Sequence, residues 1–172
     1  MSISLYDLSV GTYLQTISGV KTVMQKGREF AEQNNMEVDD LVGRKLHDDM
    51  LPFMFQINCM EMHSVHCLNG LEKGAFRPYY TEQRNYAELE QLLDTLSDDL
   101  SSRSEDQINS YEGKTMIFQF GDNEIPFTAE NFVMSFSIPN ILFHAATAYD
   151  ILRHEGVELA KPDFLGRLRI GV

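Results

Sequence analysis

Five histidines, two cysteines and an acidic majority carry the chemistry available to this 172-residue chain. His63 and His66 stand three apart, and His144 stands four after Asn140, so each pair shares one face if its segment is helical. Imidazoles on facing helices are how a helical bundle builds a site for zinc, iron, copper or nickel. Spacing alone is weak support, because the chain holds no HExxH, HxxxH or CxxC pattern, and an inward His is more often a hydrogen-bonded core residue than a ligand. Cys59 and Cys67 flank His63 at i−4 and i+4, so a thiol and a base fall within reach of each other. Neither has a Gly-rich elbow or a helix N-terminus to lower its pKa, so both are expected to be buried, reduced structural thiols. On one helix they stand about 12 Å apart along the axis, beyond disulfide reach. His47-Asp48-Asp49-Met50 offers adjacent carboxylates that diverge on a helix and suit a helix N-terminus. Gly113-Lys114-Thr115 lacks the preceding strand and earlier Gly of a phosphate-binding loop.

The elements that must position these groups are read from apolar periodicity. Leu5, Leu8, Tyr13, Leu14, Ile17, Val20, Val23, Met24 and Phe30 keep a helical rhythm over residues 5–33, with Val10 out of step. A short turn opens at 38–41, and Leu46 to Gly74 reads as one long second helix with an early kink at Pro52. Gly74 and Pro78 break it into a crossover that runs on to Tyr80, and residues 84–108 form a third helix. Residues 114–128 alternate as a β-hairpin turning at Gly121-Asp122-Asn123. Thr128 then caps a fourth helical stretch that restarts at Pro139 and ends at Gly156. The remainder is expected to wrap back as a tail. The expected fold is an all-α four-helix bundle over residues 1–172, one domain, with a long crossover between helices 2 and 3 and a small hairpin before helix 4. Met50, Met54, Met60 and Met62 are read first as core and second as an adaptable groove.

Charge excludes some partners. Lys and Arg number 14 against 26 Asp and Glu, giving −12, and residues 82–112 alone hold nine acidic and two basic side chains, or −7. Nucleic acid and anionic membrane surfaces demand the opposite sign. No stretch approaches the ~20 apolar residues of a membrane span, and the start MSISLYDLSVGTYLQ has no secretory pattern. The reduced thiols suit the cytoplasm.

The segment PNILFHAATAYDILRHEGV (139–157), with KPDFLG (161–166) after it and DMLPF (49–53), Gln56 and His63 before it, resembles a bacterial and fungal branch of unknown function in the DinB/YfiT-like metalloenzyme superfamily. That resemblance implies the bundle, a homodimer, and a divalent metal held by one His on the second helix and an HxxxH pair on the fourth. His63 is similar to the first ligand, with His66 as its substitute. His144, eight residues before Leu152, is similar to the last, and Asn140 occupies the remaining position. An Asn carbonyl oxygen is a poorer transition-metal ligand than imidazole.

Two readings stay open. In one, His63, Asn140 and His144 hold Zn, Ni or Fe in a metal-dependent hydrolase or thiol transferase, with Tyr149 or Thr147 hydrogen-bonding the reacting group. In the other, the bundle is metal-free and non-enzymatic, and self-associates or binds a small molecule. The sequence names no substrate.

Overall fold

Val10 explains itself in the computed structural model, which describes residues 3–79 and 82–170. The first helical segment opens with a π-helical turn, Asp7–Gly11, and continues as α1, Thr12–Gln33. A π turn takes up one extra residue and rotates the rest of the helix about its axis, so Val10 is fully buried although it breaks the α-helical count. Tyr13, Ile17, Val20 and Met24 then line the buried face of α1. At Gly27 the neighbours come close: a Cβ there would lie 2.5 Å from Tyr86 Oη and 2.8 Å from Leu152 Cδ1. Only glycine lets α1 approach both elements.

The expected second helix is two. Residues 46–51 form turns instead, since Leu46 and Leu51 are exposed and nothing there has a face to bury. Pro52, in extended backbone, precedes α2, Phe53–Met62, and a break at His63 and Ser64 separates it from α3, Val65–Lys73. Ser64 Oγ donates to Met60 O at 2.5 Å, taking a carbonyl the helix would otherwise use, which is how serine competes with a helical ladder.

Gly74 ends α3 at φ 72°, and Ala75–Phe76 form β1. This two-residue strand pairs in parallel with β2, Thr115–Phe120, which pairs antiparallel with β3, Asn123–Thr128. The expected hairpin is therefore part of a three-stranded sheet, and the all-α expectation is corrected to a mostly helical chain with a small sheet. Two residues are too few to show an alternating pattern. Tyr80 of the expected crossover lies outside the described residues.

The third segment also divides. α4 spans Tyr86–Ser102, and Ser104 caps a short α5, Glu105–Asn109. Asn85 accepts from Glu88 N–H at 2.9 Å while Glu88 accepts from Asn85 N–H at 2.7 Å, a complete capping box. Asn85→Ala is expected to cost about 1 kcal/mol, read as a lower urea midpoint at unchanged m-value. A change within error would show that the cap does not hold α4.

Thr128 caps α6, Ala129–Phe132, as expected, and a second π turn, Val133–Ser137, leads into α7, Ile138–His154, with Pro139 in its first turn. Proline lacks an N–H and crowds the carbonyl four residues back. Here the backbone is already widened before it. The expected tail holds a further helix, α8, Lys161–Leu165, tied to α1 by Lys26–Asp163 at 2.9 Å and by Gln15 Nε2 donating to Leu165 O. Of the four methionines read as core or groove, Met54, Met60 and Met62 are buried core residues. α2 runs along α7, and this pairing builds the site.

Candidate metal centre

Gln56, Cys59 and His63 recur at i, i+3 and i+7 along α2 and its C-terminal cap, so they share one face. That face meets α7 at His144. One ligand atom each from Cys59, His63 and His144 lies within 4.8 Å of the others. The two imidazoles stack, with ring centroids 5.5 Å apart and planes at 13°. Donors around one four-coordinate zinc sit ~3.5 Å apart by their bond lengths, so side-chain rotation of about an ångström closes the set.

Gln56 fixes the chemistry of His144. Its Nε2 donates to Leu51 O at 2.9 Å, which leaves Oε1 facing His144 Nδ1 at 2.7 Å as an acceptor. The His144 Nδ1 must therefore carry the hydrogen, and its Nε2 keeps a free lone pair. An amide or carboxylate holding the outer nitrogen is the usual support of a metal-binding His. His63 is the opposite case. Its Nδ1 is buried and has no hydrogen-bond partner among the described residues, an unmet bond that costs about 1–3 kcal/mol unless a ligand supplies it.

Phe55 and Phe143 stand edge-on to His144 at 5.8 and 5.3 Å, and Phe136 edge-on to His63 at 5.6 Å. Phe76 also stacks on His63, with ring centroids 6.5 Å apart. Burial in this aromatic wall pushes His63 down to about 3, aided by the neighbouring His144 and His66, and pushes His144 down to about 4. The same burial raises the Cys59 thiol to about 12. Without an ion, all three donors are neutral at pH 7.

Buried neutral imidazoles have a definite stability signature. Their folded pKa lies below the unfolded value, so between pH ~6.5 and about 3 to 4 the unfolded chain binds more protons. Stability of the metal-free protein is expected to be flat from pH ~6.5 to ~8.5, above which the unfolded thiols ionise while buried Cys59 does not, and to fall on acidification below ~6.5, by up to about 1.4 kcal/mol per pH unit per histidine. Urea denaturation at pH 7, 5.5 and 4.5 reads this directly. A slope that persists in a His63→Phe, His144→Phe variant would assign it elsewhere.

The other residues singled out in the sequence lie around this cluster or away from it. Asn140 Nδ2 donates one of its two hydrogens to Phe136 O at 2.7 Å, which leaves its second N–H and its Oδ1 for other partners. His66 turns away from the cluster, with Nε2 3.0 Å from Arg77 O and its ring against Phe76 and Tyr79. Thr147 donates its hydroxyl to Phe143 O, and the Tyr149 ring meets Phe164 of α8 edge-on at 6.0 Å. Cys67 is buried, and its Sγ lies 3.6 Å from Tyr13 Oη. Sequence reasoning left Cys59 among the structural thiols and gave Gln56 no role. The spacing Q-x2-C-x3-H on one helical face was the available signal.

Residues 5–165 match the family described as "Domain of unknown function (DUF1993)". A crystal structure of a DinB family member protein from Shewanella denitrificans is similar to this chain, with a TM-score of 0.79 at 26% identity, covering 98% of this chain and 95% of that one. No curated protein matches. Among the described residues no helix is long and apolar enough to cross a membrane. With the match running from the first helical segment to the last, the chain belongs to the DUF1993 family and is DinB-like in structure.

Proposed function

We propose that this protein is a divalent-metal-dependent hydrolase or thiol transferase whose ion is held by Cys59, His63 and His144. The observation that carries the reading is the buried His63 Nδ1, without a partner among the described residues, beside two further donors within 4.8 Å. A thiolate with two imidazoles suits zinc above the other divalent candidates. Three protein donors leave one position open, as catalytic rather than structural zinc sites do. A zinc ion there would lower the pKa of a bound water or thiol to near neutrality.

The chain's own residues supply the rest. Gln56 holds the His144 tautomer, and the half-buried Phe55 and Phe136 shield the donors from bulk water. Asn140, one turn before His144 on α7, would hydrogen-bond a molecule at the open position through its amide. The ligand set departs from three histidines by drawing a thiol from α2. The helical segments group as four rods: α1 with its π turn, α2 with α3, α4, and α6 with α7, which is the bundle arrangement that puts donors on facing helices. A reduced Cys59 fits a reducing compartment such as the cytoplasm.

Metal content of protein purified without an affinity tag tests the reading. One zinc per chain, retained through gel filtration, is the expected result. No bound metal after loading with Zn, Ni and Fe(II) would sink it and favour the metal-free bundle.

A further inference from the structure

We infer that Ser137 and Tyr13 are positioning residues for the metal centre: a chain of hydroxyls that fixes His63 at the α2–α3 break and sets its distance from His144. The inference rests on the metal reading above. It begins from an odd piece of backbone. His63 caps α2 at φ −95°, ψ 9°, where the helix stops for two residues, His63 and Ser64, before α3 begins. A carbonyl at such a break has no helical partner. Ser137 Oγ donates to the His63 carbonyl at 2.6 Å, across 74 residues of sequence.

Ser137 is the last residue of the second π turn and is fully buried. It lies seven residues, two helical turns, before His144, so the two share the face of α7 that meets α2. One rigid element thus holds His63 through its carbonyl and presents His144 as its neighbour. π turns inside helices often mark functional sites because they re-aim a side chain.

Tyr13 completes the chain. Its Oη lies 2.6 Å from Ser137 Oγ and 3.6 Å from Cys67 Sγ. Each hydroxyl has one hydrogen. Ser137 spends its own on His63, so the 2.6 Å bond takes the phenol's, and the longer contact is left to the thiol hydrogen. Burial, with Cys67 beside it, raises the Tyr13 phenol well above its usual range and keeps it a donor. The order runs Cys67, Tyr13, Ser137, His63 carbonyl, with every donor directed toward the ligand. Tyr13 comes just after the first π turn, which packs on the second.

Cobalt(II) titration of the full chain tests this, since the thiolate-to-cobalt charge-transfer band and the visible d–d bands report ligand geometry. Ser137→Ala and Tyr13→Phe are compared with Ser9→Ala, a fully buried serine whose hydroxyl donates instead to Leu5 O. Tyr13→Phe keeps the core filled should Ser137→Ala fail to fold. The expected result is one cobalt per wild-type chain, a tenfold to hundredfold loss of affinity with altered d–d bands in the first two variants, and wild-type behaviour in Ser9→Ala. Wild-type affinity and spectra in Ser137→Ala and Tyr13→Phe would overturn the inference while leaving the metal reading intact. Equal losses in all three variants would overturn it too, as general loosening. A wild-type chain that binds no cobalt removes the metal reading, and this inference with it.

Discussion

His144→Ala is expected to abolish stoichiometric zinc binding, and Cys59→Ala to do the same. Each removes one of the three donors that come together among the described residues, from a site whose third member, His63, has no hydrogen-bond partner among them at Nδ1. Gln56→Leu sets the scale. It leaves all three donors and removes the acceptor at 2.7 Å from His144 Nδ1, so it should weaken zinc by about 10- to 100-fold, the usual effect of losing an outer partner. The donor variants must lose more than that. Cys67→Ala should keep one ion per chain, because its thiol faces Tyr13 rather than the cluster. Competition against a chromophoric chelator reads all four. Equal affinity in Cys59→Ala and wild type would remove the thiol from the site.

Phe76→Ala should both destabilise the fold and rewet the site. Phe76 is almost wholly buried on β1, and its ring packs against His63, His66, Phe118, Phe132 and Phe136. Truncating a buried Phe costs about 3–5 kcal/mol, a large part of a total stability of about 5–15 kcal/mol. The cavity also admits water beside His63, whose depression to about 3 is caused first by burial. Its pKa should therefore rise toward ~6.5 in the metal-free variant, seen by NMR titration of the ring protons. A stability loss under ~1 kcal/mol, below the range for a buried Phe, or an unchanged His63 titration, would show that Phe76 is not the wall of the site.

How much was legible in the sequence depended on the reach of each signal. His63 and His144 stand out by residue type and by the resemblance, and the structure brings them within one cluster. Cys59 did not stand out, because its burial along α2 is readable from the apolar run while its approach to α7 is a tertiary fact. The break at His63 and Ser64 was hidden for a related reason: apolar residues continue on both sides, and only the Ser64 bond to Met60 O shows why the helix stops. Val10 was the visible trace of a π turn, since one residue out of step is how such a turn looks in a periodic pattern. The second π turn, before Pro139, left no such trace. β1 gains its meaning from pairing with β2 forty residues later, which no local pattern carries. The acidic run lies on α4, α5 and their flanks, and among the described residues no carboxylate joins the three donors.

X-ray absorption at the zinc edge, on the full chain loaded with one equivalent of zinc, tests the central claim most directly. The account predicts a first shell with one sulfur at about 2.3 Å and imidazole nitrogens at about 2.0 Å, and loss of the sulfur in Cys59→Ser. A shell of nitrogen and oxygen alone in the wild type, or a sulfur that survives Cys59→Ser, would contradict it.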